Sequence, residues 1–483
     1  MSLIKQRNSS DYLFILLGCL ITVYLLLRTY FVDITDDEAW SFYNVKKFWY
    51  VEALCSGNTH WFNFAAIKVA LLLGLEQVWQ IRWLSVLSGI MFLYLGYKWV
   101  KTLDGLALKL FAFSFLFLNP YLLEYLTLAR GYSSALCFMV FSLIFLFKSL
   151  KENEKRSFAF YSLVFAGCSA IANFGFFYFF LSFGAIYFYR FHFKNGIAFI
   201  KTKSFYVDLF YAIGISALVL RALLFIKECS NDIGSFGGGD LTSSVFCNFI
   251  ETLIYNNFHL SNIIRDTLGI GLFAFIFTAA LFGIIRYKKH KDNLYFYSSL
   301  ILLILLALTV FNKWVFNILY PTERTALMFY PLMTIILVGF LKNMIVTKAF
   351  YQKIILYLIS LILIINFCFS LNLKTGYDHP FCKDSKSYFD YLNTLNPKKI
   401  GMPLELYCVF VKYYQITGCE FEGESINTVG YDHPYIKKNR LEDFEYLLLF
   451  YPYNLSYYKG TPIKLTKIKL FPDSKTMVVK VEK

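Results

Sequence analysis

Asp36, Asp37 and Glu38 stand in a row directly after the first long apolar run and before an aromatic stretch, Trp40 to Tyr50. Three adjacent carboxylates at a membrane surface carry an electrostatic cost. A structural explanation is a helix start, with Thr35 or Asp36 as the cap and acids in the first turn. A chemical explanation is a carboxylate that takes a proton from an attacking hydroxyl. A neighbouring acid would raise its pKa by like-charge repulsion and make it a better base. The two are compatible, because a capped helix holds a base rigidly.

Basic residues supply the complementary chemistry. Arg130 opens an apolar helix in Leu128-Ala129-Arg130-Gly131-Tyr132, and Arg324 holds a similar place in Tyr320-Pro321-Thr322-Glu323-Arg324-Thr325. An arginine at a helix end can snorkel to the interface. Its planar donor fork also suits a phosphate. Lys313 precedes Arg324 in the same connection, and Arg221 lies within an apolar run near Glu228 and Asp232. An intramembrane charge is a functional candidate by default. His60, in Gly57-Asn58-Thr59-His60-Trp61, is a lone histidine ahead of a short apolar stretch. The loop 227–265 carries Gly237-Gly238-Gly239-Asp240 without the Gly-Lys-Ser/Thr of a nucleotide loop. It reads as an outer loop that closes over a substrate.

The elements that must position these residues are membrane helices. The 483 residues are 58% hydrophobic and 16% charged, against roughly 45–50% and about 25% in soluble domains. At about 20 apolar residues per crossing, spans are predicted at 12–32, 82–98, 106–120, 131–147, 157–173, 174–189, 206–226, 266–285, 294–311, 325–341 and 353–371. The first follows Lys5 and Arg7 and is read as a retained span, since no small-x-small cleavage site follows it. The stretch 61–75 is short and interrupted by Asn63 and Lys68. If it does not cross, the clusters Lys98/Lys101, Lys148–Arg156, Arg190–Lys203, Arg286–Lys291 and Lys342–Lys353 all fall on the cytoplasmic side. It is therefore expected to lie on the outer surface as an interfacial helix. Lys46, Lys47 and Lys68 then remain outside, against the rule. This places Asp36–Glu38, Asn119–Arg130, the loop 227–265, Asn312–Arg324 and the tail on one face, where an outer cavity could collect them.

The net charge of +15 is accounted for by these topology signals. No soluble basic module exists to bind nucleic acid. The ten cysteines form no CxxC pair and no finger spacing. Cys19, Cys137, Cys168 and Cys368 lie in apolar runs, and Cys382, Cys408 and Cys419 in the tail. The tail, 372–483, mixes charges with alternating apolar runs such as Tyr446–Phe450 and Met477–Val481, which predicts a small α/β domain outside the membrane. Gly-Tyr-Asp-His-Pro-Phe at 376–381 is echoed by Gly-Tyr-Asp-His-Pro-Tyr at 430–435. Two similar turns explain the echo. A metal or ligand site at His379 and His433 is the alternative.

The sequence resembles the GT-C glycosyltransferases, in the family 39-type branch that contains the protein O-mannosyltransferases and the lipid A aminoarabinose transferase. The resemblance covers residues 12 to 350. It is carried by Asp37-Glu38 after the first span, His60 before the surface helix, Arg82 opening the next span, Asn119-Pro120 and Ala129-Arg130-Gly131-Tyr132. It implies that Asp37 or Glu38 is the catalytic acid or base. It further implies that Arg130 and Tyr132 lie at the donor site, and that Arg324 is a later outer basic residue. One departure is Leu128, where the family often has Glu before the Ala-Arg pair; Glu124 is the nearest acid. The implied reaction is an inverting transfer from a polyprenyl-phosphate sugar to an acceptor hydroxyl or amine on a lipid, glycan or protein. Asp37 or Glu38 would handle the acceptor proton. Asp36, His60, Arg130, Tyr132, Lys313 and Arg324 would bind substrate, with no obligatory metal or cofactor. The rivals are a flippase or transporter of lipid-linked sugars and a polymerase or ligase of surface polysaccharide. A scaffold presenting the tail is a third.

The expected architecture is thus an all-α polytopic membrane protein of about 11 transmembrane helices plus an outer interfacial helix (1–371), with a small C-terminal extracytoplasmic α/β domain (372–483). The N-terminus is expected in the cytoplasm.

Overall fold

The computed structural model describes residues 9–47, 60–151, 155–194, 200–230, 238–255, 260–287, 292–344, 350–374, 376–378, 382–426, 441–450 and 464–482. Each of the eleven segments predicted to span lies on a helix. Among the described residues, eight helices are long and apolar enough to cross a membrane: Asp11–Phe31, Trp83–Lys101, Tyr132–Lys151, Phe174–Phe191, Lys203–Leu224, Asn262–Ile285, Asn293–Phe316 and Phe350–Ser370. Their outward side chains are apolar; Leu16, Phe210 and Ile263 are exposed. The chain is an integral membrane protein.

The other three predicted spans are shorter helices, Leu106–Phe117, Arg156–Ala172 and Phe329–Met344. The first stops early for a local reason. Asn119 caps a new short helix, Pro120–Tyr125, by accepting from the Leu122 N–H at 2.9 Å, and Pro120 takes its first position. The stretch around 61–75 forms a 12-residue helix, Trp61–Leu72. At about 1.5 Å per residue it reaches roughly 18 Å, less than the ~30 Å hydrocarbon core.

The chain divides into two compact units, and each is described by itself. The first comprises Met1–Leu26, Leu54–Asn63 and Trp83–Leu371. Aromatic rings fill much of it; Phe165 stacks on Phe141 at 4.9 Å and on Phe145 at 5.4 Å. One carboxylate inside this unit is fully buried at the start of a span. Asp208 meets His192 Nε2 at 2.9 Å and accepts from the Tyr187 hydroxyl at 2.6 Å, and Arg156 pairs with it. These bonds tie three helices together at one end and leave the charge paired.

The second unit comprises Leu27–Ala53, Phe64–Arg82 and Asn372–Lys483. Its strands are β1 (Lys399–Met402), β2 (Glu422–Ser425), β3 (Tyr446–Phe450), β4 (Lys464–Phe471) and β5 (Thr476–Glu482). They form one sheet in the order β2-β1-β3-β5-β4. β1 runs parallel to β2 and β3, and β5 runs antiparallel to β3 and β4. Leu447, Leu448 and Leu449 are buried in succession, as a central strand covered on both faces requires. Phe444, Leu447, Leu449, Met477 and Val479 form its core. The edge strand β4 carries exposed lysines and a bulge between Lys467 and Lys469, both of which discourage pairing with another chain. The C-terminal sheet is the small α/β element that the patterning of the tail predicted, and the unit around it also takes in 27–53 and 64–82.

Candidate functional site

The acid row opens the helix Asp36–Lys47 in the second unit. Thr35 Oγ1 accepts from the Glu38 N–H at 3.3 Å, and Glu38 Oε2 accepts from the Thr35 N–H at 3.1 Å. This reciprocal pair is a capping box, so the cap is Thr35. The acids fill the first turn and Lys46 and Lys47 the last, each suited to its end of the helix dipole. Three acids in one turn have three different surroundings. Glu38 is fully buried and forms a bidentate pair with Arg82, Nη2 to Oε2 at 2.6 Å and Nε to Oε1 at 2.8 Å. Arg82 also donates to the carbonyls of Thr29, Val32 and Asp33. Asp36 Oδ1 is 3.4 Å from the Lys412 ammonium. Asp37 is buried at 6% exposure, and its carbonyl accepts from Ser41.

Asp33, just before this turn, is a carboxyl that no motif in the sequence marks. Burial pushes it up to about 6, against the bond it accepts from the Lys386 N–H and the nearby Arg82 charge, while Asp384 adds to the rise. The folded protein therefore binds this proton more tightly than the unfolded chain. Its contribution to stability is greatest below about pH 4 and is lost as pH rises through about 6. Asp33→Asn keeps an acceptor for Lys386 and removes the titration. The variant should melt above wild type at neutral pH and converge with it in acid. Melting curves of the full chain across that window check this; a gap that does not change with pH would refute it.

The first unit holds the other predicted residues. Arg130 is 2% exposed, so it does not snorkel to a surface. It begins a turn whose next residue, Gly131, has φ +71°. A Cβ there would sit 2.4 Å from the Ala172 carbonyl and 2.7 Å from His60 Cβ. Glycine is thus required twice, for the left-handed backbone and for the close approach to His60. Asn63 Nδ2 donates to the Ala129 carbonyl at 2.6 Å and holds the residues just after His60 to this turn. Tyr132 meets the His60 ring edge-on at 5.5 Å and Tyr125 at 5.0 Å. Burial, with the Arg324 charge adding to it, holds His60 down at about 3. His60 is a neutral imidazole at physiological pH, and neither ring nitrogen has a hydrogen-bond partner among the described residues.

His60, Arg130 and Tyr132 therefore gather in one buried region, and the half-buried Arg324 lies near enough for its charge to act on His60. Lys313 donates instead to Asn317 Oδ1, at the end of its own helix. Glu124 is fully buried and accepts from the Tyr255 hydroxyl at 2.7 Å. The described part of the loop 227–265 is ordered: Gly238 pairs with Tyr320 through two backbone bonds of 3.0 and 3.1 Å, and Asp240 caps the following turn. A small cleft lies between this segment and the Arg324 turn, lined by Asn119, Asn248, Thr252, Glu323 and Tyr330. Among the described residues no three metal-ligating side chains cluster. His379 and His433 lie outside the described residues, as do the side chains of Glu228 and Asp232 near Arg221.

Of these contacts, the sequence signalled a helix start at Thr35 or Asp36 and an arginine, Arg130, opening an apolar helix. It gave no sign that Arg82 pairs with Glu38 or that Lys412 reaches Asp36, and Asn63 read only as an interruption.

No protein-family model matches the sequence, and no curated protein matches it. Solved structures do. ArnT from Cupriavidus metallidurans bound to undecaprenyl phosphate superposes with a TM-score of 0.54 at 11% identity, covering 98% of each chain. The same protein in the apo state gives 0.53 at 11% identity over 97% of each chain. At that identity the likeness is one of fold, and it runs from end to end: this chain has the fold of ArnT.

Proposed function

We propose that this protein is a membrane glycosyltransferase that moves a sugar from a polyprenyl-phosphate donor to an acceptor hydroxyl at the outer face of the membrane. The observation that carries this reading is the shared fold over nearly the whole of both chains with a protein solved with undecaprenyl phosphate. The N-terminus would be cytoplasmic and the C-terminal domain extracytoplasmic, as the basic loops require.

The acceptor oxygen attacks the anomeric carbon from the face opposite the phosphate. A carbon–oxygen bond forms there, the bond to the lipid phosphate breaks, and the configuration inverts. The leaving phosphate keeps the bonding electrons. The acceptor proton goes to Asp37, buried in the first turn of the capped helix, while Glu38, bonded to Arg82 and Thr35, braces that turn. Arg130 and Arg324 offset the charge that grows on the leaving phosphate, Arg130 from a buried setting where fixed donors act most strongly. Neutral His60 offers a hydrogen bond without a charge. Glu38 and Arg82 hold the acid turn in place. The donor's tail stays in lipid while its head group is presented, so no nucleotide sugar is needed outside.

The test is transfer from a radiolabelled polyprenyl-phosphate sugar pool in membranes containing the full chain. Label should pass to an acceptor fraction and free lipid phosphate should appear. Label that changes leaflet without leaving its carrier would replace the transferase with a flippase.

A further inference from the structure

The helical run from Leu404 to Thr417 is interrupted by a π turn, Phe410–Tyr414. Such turns widen the helix by a residue, re-aim its side chains and concentrate at functional positions. In a regular α-helix successive side chains point about 100° apart. Here two successive ones meet the same partner helix within the second unit. Tyr413 packs edge-on against Phe42 at 5.1 Å and donates to the Glu76 carbonyl at 3.1 Å. Lys412 places its ammonium 4.3 Å from the Trp40 ring centroid and 3.4 Å from Asp36 Oδ1. Both charges of this pair are partly buried, so salt screens them less than a surface pair. Trp40 lies one turn after Asp36, and its ring backs the ammonium with a cation–π contact.

We infer that Lys412, from the C-terminal domain, is a positioning residue for sugar transfer: it neutralises Asp36 and pins the first turn of the acid helix, which carries Asp37, the acid that accepts the proton. This rests on the glycosyltransferase reading. The remaining charges near the pair are accounted for. Glu38 is matched by Arg82, and Glu76 by Lys46 at 2.8 Å. Glu405 and the thiols of Cys408 and Cys382 face the pair from the C-terminal domain, and Asp33 faces it from the preceding turn. Among the described residues these are carboxyls and thiols, the Lys386 charge acts on Asp33, and Lys412 is the cation that contacts Asp36. Without the ammonium, Asp36 stands as an unopposed negative neighbour of Asp37. Repulsion then holds a proton on Asp37 to higher pH, and the base is out of action over that range.

The experiment is transfer by the full chain in membranes, at matched expression, followed across the acid limb of the pH profile. Lys412→Met keeps the apolar stem on Trp40 and removes the charge. It should lose about tenfold in rate on the acid side and move the limb about one pH unit higher. Lys412→Arg should restore both, and Asp36→Asn should cancel the displacement when combined with Lys412→Met. Asp36→Asn alone should move the limb the other way, to lower pH. That single variant carries the test if Lys412→Met fails to insert, and an unmoved limb in it would overturn the inference. An unmoved limb in Lys412→Met, where wild type transfers, overturns the inference and leaves the transferase reading intact. Rate loss without a displaced limb and without rescue by Arg assigns Lys412 a purely structural role and also overturns it. A wild type that transfers no sugar overturns both.

Discussion

Asp37→Asn is expected to lower sugar transfer by about 100- to 10,000-fold, the usual contribution of a positioned general base, while the protein stays inserted and folded. The expectation follows from how the acid turn is built. Glu38 spends both oxygens on Arg82 and Thr35, and Asp36 lies against Lys412. Asp37 sits between them, buried, on a helix whose start is fixed by the capping box. Asparagine matches the shape of aspartate and cannot take the proton. The loss should fall on the rate at saturating donor rather than on donor affinity, because the carboxylate is needed as the acceptor proton leaves. The measurement is initial transfer rates in membranes over a range of donor, with insertion checked on the same samples. Wild-type rates in Asp37→Asn would remove this acid from the mechanism.

What the sequence made legible, and what it hid, follows from the range over which each constraint acts. A bilayer imposes its constraint along the chain, so apolar runs located every predicted helix. The capping box is equally local: Thr35 and Glu38 are three residues apart and read directly as a helix start. The early stop at Phe117 was also written in Asn119-Pro120, a cap followed by a first-turn proline, but hydropathy alone ran through it to 120. The contacts that distinguish the three acids are of another kind. Arg82 is 44 residues from Glu38, and Lys412 is 376 from Asp36. No spacing rule covers such separations. Arg130 shows the same limit: an arginine at a helix start reads equally as snorkelling or buried, and only the packing of Gly131 against His60 and Ala172 accompanies its burial. The π turn that aims Lys412 has no sequence signature at all.

The second large effect should come from the pair that holds the acid turn. Arg82→Met is expected to destabilise the second unit by roughly 3–5 kcal/mol, as breaking a buried ion pair does. Both side chains are fully buried, so Glu38 would keep its charge in a site with no water to receive it. Three carbonyls, those of Thr29, Val32 and Asp33, would lose their donor in the same step. Glu38→Gln should cost less. It leaves Arg82 with those three carbonyls and keeps an oxygen for the Thr35 cap. The order of loss, Arg82→Met above Glu38→Gln, separates a structural pair from a catalytic carboxylate, because a catalytic Glu38 would make its amide the more damaging change for transfer. Thermal melts of the purified full chain, read beside transfer rates, give both quantities from one set of variants. If Arg82→Met melts with wild type, the pair is not what holds the turn. If Glu38→Gln keeps wild-type stability yet loses transfer as deeply as Asp37→Asn, the proton goes to Glu38. If it instead loses transfer only in proportion to its stability, Glu38 is the brace and Asp37 the base.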